Sequence, residues 1–384
     1  MIYFDNAATS FPKPPAVAEA VARFLGGGGA NPGRGSYAGS VASGMLLHET
    51  RERLAARFGL RDPMRVIFGL NATDALNLAL RGTLRPGDHV LTTTLEHNSV
   101  IRPLKRLEAE QGVALTLLTC RPGESLAPEA VAAALTPRTR ALVLCHGNNV
   151  FGTVQPLRPL GELCRAHGIL LIVDAAQTAG IVPVDLVSDG VDLIAFSGHK
   201  ALMGPMGTGA LLLADTFDTR RLAPLRVGGT GSHSEHIVAP DFLPDRYECG
   251  TPNMPGIAGL HAALASDTHS LADRKRVLVR RFASEAARAV PGFCLPVAAE
   301  HLATGVVSFN LDGFAPSAVA LALAERAGIA CRAGLQCSPL SHQSAGTFPQ
   351  GTVRFSFGAF NTEAEIDTAV AALTAIASER EARQ

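Results

Sequence analysis

Asp174 closes the apolar run Leu170–Val173, and Lys200 follows the apolar run Leu193–Phe196 through Ser197-Gly198-His199. Short apolar runs bounded by polar turn residues read as buried strands of a parallel sheet. Ligands of open parallel sheets bind outside the carboxyl ends of the strands, so an acid and a lysine placed there converge on one crevice. That pairing suits pyridoxal 5'-phosphate: the amine condenses with its aldehyde, and the carboxylate keeps its pyridine nitrogen protonated. Taken singly, each residue has a plainer reading, since an aspartate after a strand caps a turn and a lysine there is usually solvated. Together, with Ser197 and His199 as further hydrogen-bonding groups, they point to one site. A phosphate also needs a cradle. Asn71-Ala72-Thr73 lies between the strand-like run Arg65–Phe68 and a helix starting near Thr73. A helix start offers free N–H groups, a favourable dipole and here a threonine hydroxyl.

The second reactive type is cysteine, of which there are seven. An odd, scattered set without any Cys-x-x-Cys pair is neither a disulfide framework nor a zinc or iron–sulfur site, and no metal is expected. Cys145 sits in an apolar run and reads as a small hydrophobe. Cys337 differs: it lies in Ala333–Ser338, a segment of small and polar residues read as an accessible, mobile loop. A thiol there can attack a sulfur atom and leave as a persulfide. Arg354, inside the apolar run Val353-Arg354-Phe355, requires an anionic partner, because an unpaired charge in such a setting is costly.

These residues need a scaffold. Between about residues 60 and 215, strand candidates Arg65–Phe68, His89–Thr93, Ala114–Leu118, Ala141–Cys145, Leu170–Val173, Leu193–Phe196 and Gly209–Leu213 alternate with helical segments. The helices are Thr73–Leu80, Ser99–Glu110, Pro128–Leu135 and Pro159–His167. That rhythm predicts an α/β fold with a mostly parallel sheet covered on both faces. Residues 216–256 lack periodicity and read as long functional loops. Residues 257–290 read as helical, followed by strand Gly305–Leu311, helix Ser317–Ala327, strand Thr352–Phe357 and helix Glu363–Ser378. The expected division is a large domain over 16–256 and a smaller α/β domain made of 1–15 and 257–384.

Bulk properties agree with a globular enzyme. The 384 residues are 47% apolar and 18% charged, with 34 basic and 34 acidic side chains. No net field draws in nucleic acid or an anionic membrane. No secretory signal and no apolar run of about 20 residues is evident, so a reducing cytoplasm is the expected home.

An ordered set of motifs supports a closer comparison. Tyr3-Phe4-Asp5-Asn6-Ala7-Ala8-Thr9, Asn71-Ala72-Thr73, Glu96-His97-Asn98, Asn148-Asn149, Asp174-Ala175-Ala176-Gln177, Ser197-Gly198-His199-Lys200 and Gly250-Thr251-Pro252-Asn253 appear in turn. The set resembles the class V aminotransferase-fold enzymes, above all the cysteine desulfurases. The short segment Arg332–Cys337 resembles the group II, SufS-like, branch. The resemblance implies the fold of type I pyridoxal-phosphate-dependent transferases and a homodimer with composite active sites. It implies that Lys200 carries the cofactor and moves protons at the substrate Cα, and that Asp174 pairs with the ring nitrogen. Gln177 and Asn149 would meet the ring's phenolic oxygen, Asn149 also the substrate, and His97 would stack on the ring. Ala72, Thr73, Ala176, Ser197 and His199 would line the cofactor pocket, with Thr251 reaching in from a second subunit. Arg354 and Arg332 would bind the substrate carboxylate, and Cys337 would take sulfur from L-cysteine for an acceptor protein.

The chain also departs from that branch. Leu335 and Gln336 stand where two histidines are usual, and Ser338 replaces a common alanine. These changes bear on thiol activation and on the sulfur acceptor, not on the cofactor. Selenocysteine lyase, cysteine sulfinate desulfinase or aminotransferase chemistry is the alternative reading. A non-catalytic cofactor-binding or sulfur-relay protein is a third.

Overall fold

The computed structural model describes residues 1–33, 35–265 and 268–381. Among these, the strands are β1 (Ile2–Tyr3), β2 (Val66–Gly69), β3 (His89–Thr93), β4 (Ala114–Leu118), β5 (Thr139–Cys145), β6 (Leu170–Asp174) and β7 (Leu193–Ser197). They continue as β8 (Gly209–Leu213), β9 (Phe293–Cys294), β10 (Val306–Leu311), β11 (Ile329–Ala330), β12 (Arg332–Gly334) and β13 (Thr352–Ser356). The α-helices are α1 (Pro15–Arg23), α2 (Ala38–Arg57), α3 (Ala72–Thr83), α4 (Asn98–Gln111), α5 (Pro128–Ala133) and α6 (Leu157–Ala166). After them come α7 (Met254–Leu264), α8 (Thr268–Ala289), α9 (Pro316–Ala327), α10 (Pro339–Ser344) and α11 (Glu363–Glu381).

Strands β2 to β8 form one sheet in the order β2-β8-β7-β6-β5-β3-β4, parallel except that β8 runs against both β2 and β7. Every residue of β3, β6 and β7 is buried, as a sheet with helices on both faces demands. The chain steps outward from β3 to β4, then returns to place β5 on the other side of β3. This reversal opens a crevice at the carboxyl ends of β3 and β5, where doubly wound sheets bind ligands. His97 follows β3 and Asn149 follows β5, so the two flank the crevice.

A smaller sheet, β12-β13-β10-β9, lies with α8, α9 and α11 around a second core in which Phe282, Phe309, Phe355 and Phe357 pack on Phe4 near the N-terminus. Helix α7, which straddles residue 256, gives Leu260 and Leu264 to the core of the large sheet.

Several elements differ from the expectation. Helices α1 and α2 arise where no element was expected. Helix α2 buries Ser40, Ser43, Thr50 and Arg51 beside Leu54 and Ala55, so its inward face carries no apolar stripe to read. The segment leading to Cys337 begins as strand β12, hydrogen-bonded to β13, and is not a free loop. Its small residues left no strand pattern. No helix among the described residues is long and apolar enough to cross a membrane.

Candidate active site

The crevice is floored by strand ends. Asp174, the last residue of β6, is buried, and one of its oxygens accepts the Ala176 N–H at 2.8 Å. Its other oxygen receives the Ser99 hydroxyl at a longer 3.4 Å, which leaves acceptor capacity for a cationic ring nitrogen. Lys200 stands in the turn after β7, closed by bonds from Met203 N–H to Lys200 O and from Gly204 N–H to Gly198 O. A Cβ on Gly198 would lie 2.3 Å from Thr208 Oγ1, so only glycine lets this turn pack. Burial lowers the Lys200 pKa, while Asp174 opposes the shift and Arg354 adds to it. A desolvated amine is more often neutral, the form that attacks a carbonyl. The same balance places Lys200 within the fields of Asp174, Arg354 and Cys337.

His97 caps helix α4. Its Nδ1 accepts the Ser99 N–H at 3.0 Å and lies 2.8 Å from Ser99 Oγ, so the hydrogen-bond pattern puts the ring proton on Nε2. Burial is the main cause of its lowered pKa, with Asp174 pulling the other way. Ser99 thus touches both His97 and Asp174, a link the sequence reading missed. Its only signal was the position two residues after a helix-capping histidine.

An anion would fit at the other end. The Ala72 N–H at the start of α3 donates to Ser197 Oγ at 2.9 Å, and Thr73 beside it is exposed. His199 Nδ1 is buried without a partner among the described residues; its imidazole is pushed down to about 4 by burial and then by Lys200 and Lys13. A neutral ring with an unused nitrogen, a serine hydroxyl and a helix N-terminus are together the donor set a phosphate takes. Gln177 is buried and spends one N–H on Ala7 O at 3.0 Å, keeping a second. Thr251 is elsewhere: with Asn31, Arg51, Thr208 and Arg226 it lines a separate cavity of about 510 Å³.

The arginines share one carboxylate. Arg354, buried in β13, donates to Asp5 Oδ1 at 2.8 Å and to Asn149 O at 3.0 Å, while its Nε is buried without a partner among the described residues. Arg332 in β12 reaches Asp5 Oδ2 at 2.8 Å. Two guanidinium groups around one carboxylate leave one positive charge, enough for a second, incoming carboxylate. Asp5 was quoted in its motif but given no role. Only the pairing of β1 with β11 and its own bridge to Ser356 bring it here.

Cys337 is exposed beside this group, and its carbonyl accepts the Asn98 N–H at the start of α4 at 2.9 Å. Burial drives the Cys145 thiol well above its ordinary value, and pushes Cys331 and Cys164 up to about 12 and Cys120 up to about 11. Those four stay protonated and unreactive at neutral pH. Gln336 and Cys337 have φ of +42° and +61°, a left-handed conformation that costs roughly 1 kcal/mol or more at each non-glycine residue. The expected mobile loop is therefore a pinned bend.

Glu96 is another residue whose role the sequence concealed. It is fully buried, and one oxygen takes Thr93 Oγ1 at 2.7 Å and the Cys145 N–H at 2.9 Å, while the other has no partner. Burial pushes its carboxyl up to about 8, with Asp174 adding to the rise, so it is protonated at neutral pH. Unfolding frees the group to ionise near its ordinary value. Between that value and about 8 the folded chain holds a proton the unfolded chain has lost, so this group makes stability fall as pH rises. Glu96→Gln removes that term. Urea unfolding should show the variant gaining on the wild type by up to about 1.4 kcal/mol per pH unit across this window. A gap that does not change with pH would show that Glu96 is ionised in the fold.

Residues 2–369 match the family described as Aminotransferase class-V. A probable cysteine desulfurase of Methanothermobacter thermautotrophicus is 32% identical, covering 95% of this chain and 92% of the relative. A cysteine desulfurase of Klebsiella pneumoniae is 33% identical, covering 98% and 93%. Among solved structures, the apo cysteine desulfurase of Thermococcus onnurineus superposes with a TM-score of 0.88 at 29% identity, over 98% of this chain and 95% of that one. The cysteine desulfurase CsdA of Escherichia coli gives 0.85 at 28% identity, over 98% and 94%. The pinned thiol, the lysine–aspartate pair and these likenesses over nearly the whole length agree: the chain belongs to the class V aminotransferase family, among its cysteine desulfurases.

Proposed function

We propose that this chain binds pyridoxal 5'-phosphate on Lys200 and removes sulfur from L-cysteine, releasing L-alanine and retaining the sulfur as a persulfide on Cys337. The observation that carries the reading is the placement of Cys337. It is an exposed thiol set in the field of Lys200 and Arg354, whereas the nearby thiols Cys145 and Cys331 are pushed up by burial. When bound, the cofactor supplies an aldehyde for the amine and a ring that accepts the substrate's electron pair. Asp174 would hold the ring nitrogen protonated, while Ser197, His199, Thr73 and the α3 N-terminus would hold the phosphate. Gln177 and Asn149 would orient the ring. Arg354, with Arg332, holds the substrate carboxylate and so turns the cysteine side chain toward Cys337. Lys200 removes and returns a proton at the substrate Cα, and His97 Nε2 is placed to assist. The Cys337 thiolate then attacks the substrate sulfur. The carbon–sulfur bond breaks with its electrons left on carbon, and protonation of that carbon gives alanine.

We read the chain as a group II enzyme from its short Arg332–Cys337 segment, working in the cytoplasm and passing sulfur to an acceptor protein. We also infer a homodimer. Exposed Leu70 lines the cavity that holds Thr251, and exposed Met206 and Val227 neighbour its lining residues Gly207 and Arg226 along the chain; a second copy there would let Thr251 complete a neighbouring phosphate site. The division into a domain of 16–256 and one of 1–15 with 257–384 goes with this reading.

Cofactor-loaded protein given L-cysteine and a thiol reductant should release alanine and sulfide in equal amounts. A keto acid without sulfide would turn the assignment to transamination. Turnover of selenocysteine or cysteine sulfinate with none of cysteine would turn it to the corresponding lyase.

A further inference from the structure

The bend that carries Cys337 is exposed at its tip and buried on either side: Gln336 is 8% exposed and Ser338 0%. Two successive left-handed residues do not hold such a shape by themselves. Ser338 N–H closes the bend onto Leu335 O at 2.9 Å, and two further bonds come from the Gln336 side chain. Gln336 Nε2 donates to Thr352 O at 2.9 Å, tying the bend to the strand that carries Arg354. Gln336 Oε1 lies 2.9 Å from His342 Nε2. His342 is wholly buried, with Nδ1 2.8 Å from Thr347 Oγ1. Burial keeps this imidazole neutral, so it has one N–H to give, and Thr347 can donate to its other nitrogen.

Asn149 closes the far side. Its Nδ2 donates to Gln336 O at 2.8 Å, and its Oδ1 accepts the Ser338 hydroxyl at 2.7 Å. The backbone carbonyl of the same Asn149 accepts from Arg354. One residue at the sheet's reversal point therefore touches both flanks of the thiol and the candidate carboxylate-binding arginine.

We propose that Gln336 is a positioning residue for sulfur abstraction: clamped between Thr352, His342 and Asn149, it fixes the bend so that the Cys337 thiol is held over the substrate rather than swept in by loop motion. The proposal rests on the desulfurase reading above. It assigns a use to one of the departures from the branch pattern, since a carboxamide can accept from His342 and donate to Thr352 at once. A carboxylate could not make the second bond. Preorganisation of this kind acts on the step in which the thiol meets sulfur and leaves cofactor binding alone.

The test uses cofactor-loaded protein and L-cysteine in a single turnover without reductant, with the persulfide on Cys337 followed by peptide mass. Gln336→Met keeps the length of the side chain and removes both polar bonds. It should slow persulfide formation about thirtyfold while the visible spectrum and the spectral affinity for L-cysteine stay within about twofold. Gln336→Glu should be slowed similarly. Amide exchange at residues 335–338 should accelerate in both variants, a change that a role confined to general stability would spread over the whole chain. Ser338→Ala removes one hydroxyl and leaves Gln336 in place, and should slow the same step about fivefold. Wild-type rates and exchange in Gln336→Met would overturn the proposal. So would a wild-type rate in Ser338→Ala if the Gln336 variants fail to fold. If the wild type itself forms no persulfide, the desulfurase reading falls, while the exchange comparison still decides whether Gln336 holds the bend.

Discussion

Cys337→Ala should lose sulfur release from L-cysteine by about a thousandfold or more, as expected when the only nucleophile of a covalent step is removed. The variant should keep its fold, its cofactor spectrum and its spectral response to L-cysteine. The side chain is exposed, so truncation to alanine opens no buried cavity. The bend itself is held by Gln336, Ser338 and Asn149 rather than by the thiol. The comparison is sharpened by Cys145→Ala and Cys331→Ala, whose thiols are pushed up by burial and whose loss should leave the rate of sulfur release within a fewfold. Equal activity of Cys337→Ala and wild type would move the sulfur chemistry off this residue altogether.

Lys200→Ala should abolish turnover of every amino acid tested, again by about a thousandfold or more, and should remove the visible absorption band that marks a covalently held cofactor. The prediction is specific to one amine among several. Burial lowers two other amines as well, Lys13 and Lys275, each to about 8, so a lowered pKa alone does not mark the catalytic lysine. Lys275, buried near the same crevice, has no carboxylate raising its pKa as Asp174 does for Lys200. Lys275→Met should therefore keep the band and the turnover. If the band survives in Lys200→Ala and disappears in Lys275→Met, the cofactor sits on the wrong lysine in this account.

The large sheet and the ends of its strands were legible because both obey short-range rules. Leu170–Val173 and Leu193–Phe196 are apolar throughout, so their burial and the polar residues that end them can be read without knowing what lies beside them. Asp174 and Lys200 could be placed in one crevice for that reason. The helix expected near Thr73 starts at Ala72, and Asn71 caps it by accepting the Asp74 N–H at 3.0 Å.

Groups paired across the chain were not legible. Asp5 meets Arg354 and Arg332 only after the N-terminal strand docks on β11, some three hundred residues away along the chain. Glu96 looks like any acidic residue before a helix, and its neutral state follows from complete burial, which no local pattern announces. Gln336 and Ser338 could be seen as departures from a family pattern, but the bonds that give them a task come from Thr352, His342 and Asn149. The expectation of a mobile loop failed for that reason: small and polar residues suit a solvated loop and a satisfied buried bend equally well.

The most direct measurement is the mass of the Cys337 peptide after a single turnover of L-cysteine by cofactor-loaded protein, with reductant left out and every cysteine-containing peptide compared. One extra sulfur atom on Cys337, in proportion to the alanine formed, is the predicted result. Alanine formed with that sulfur on another cysteine, or with none on any, would contradict the account.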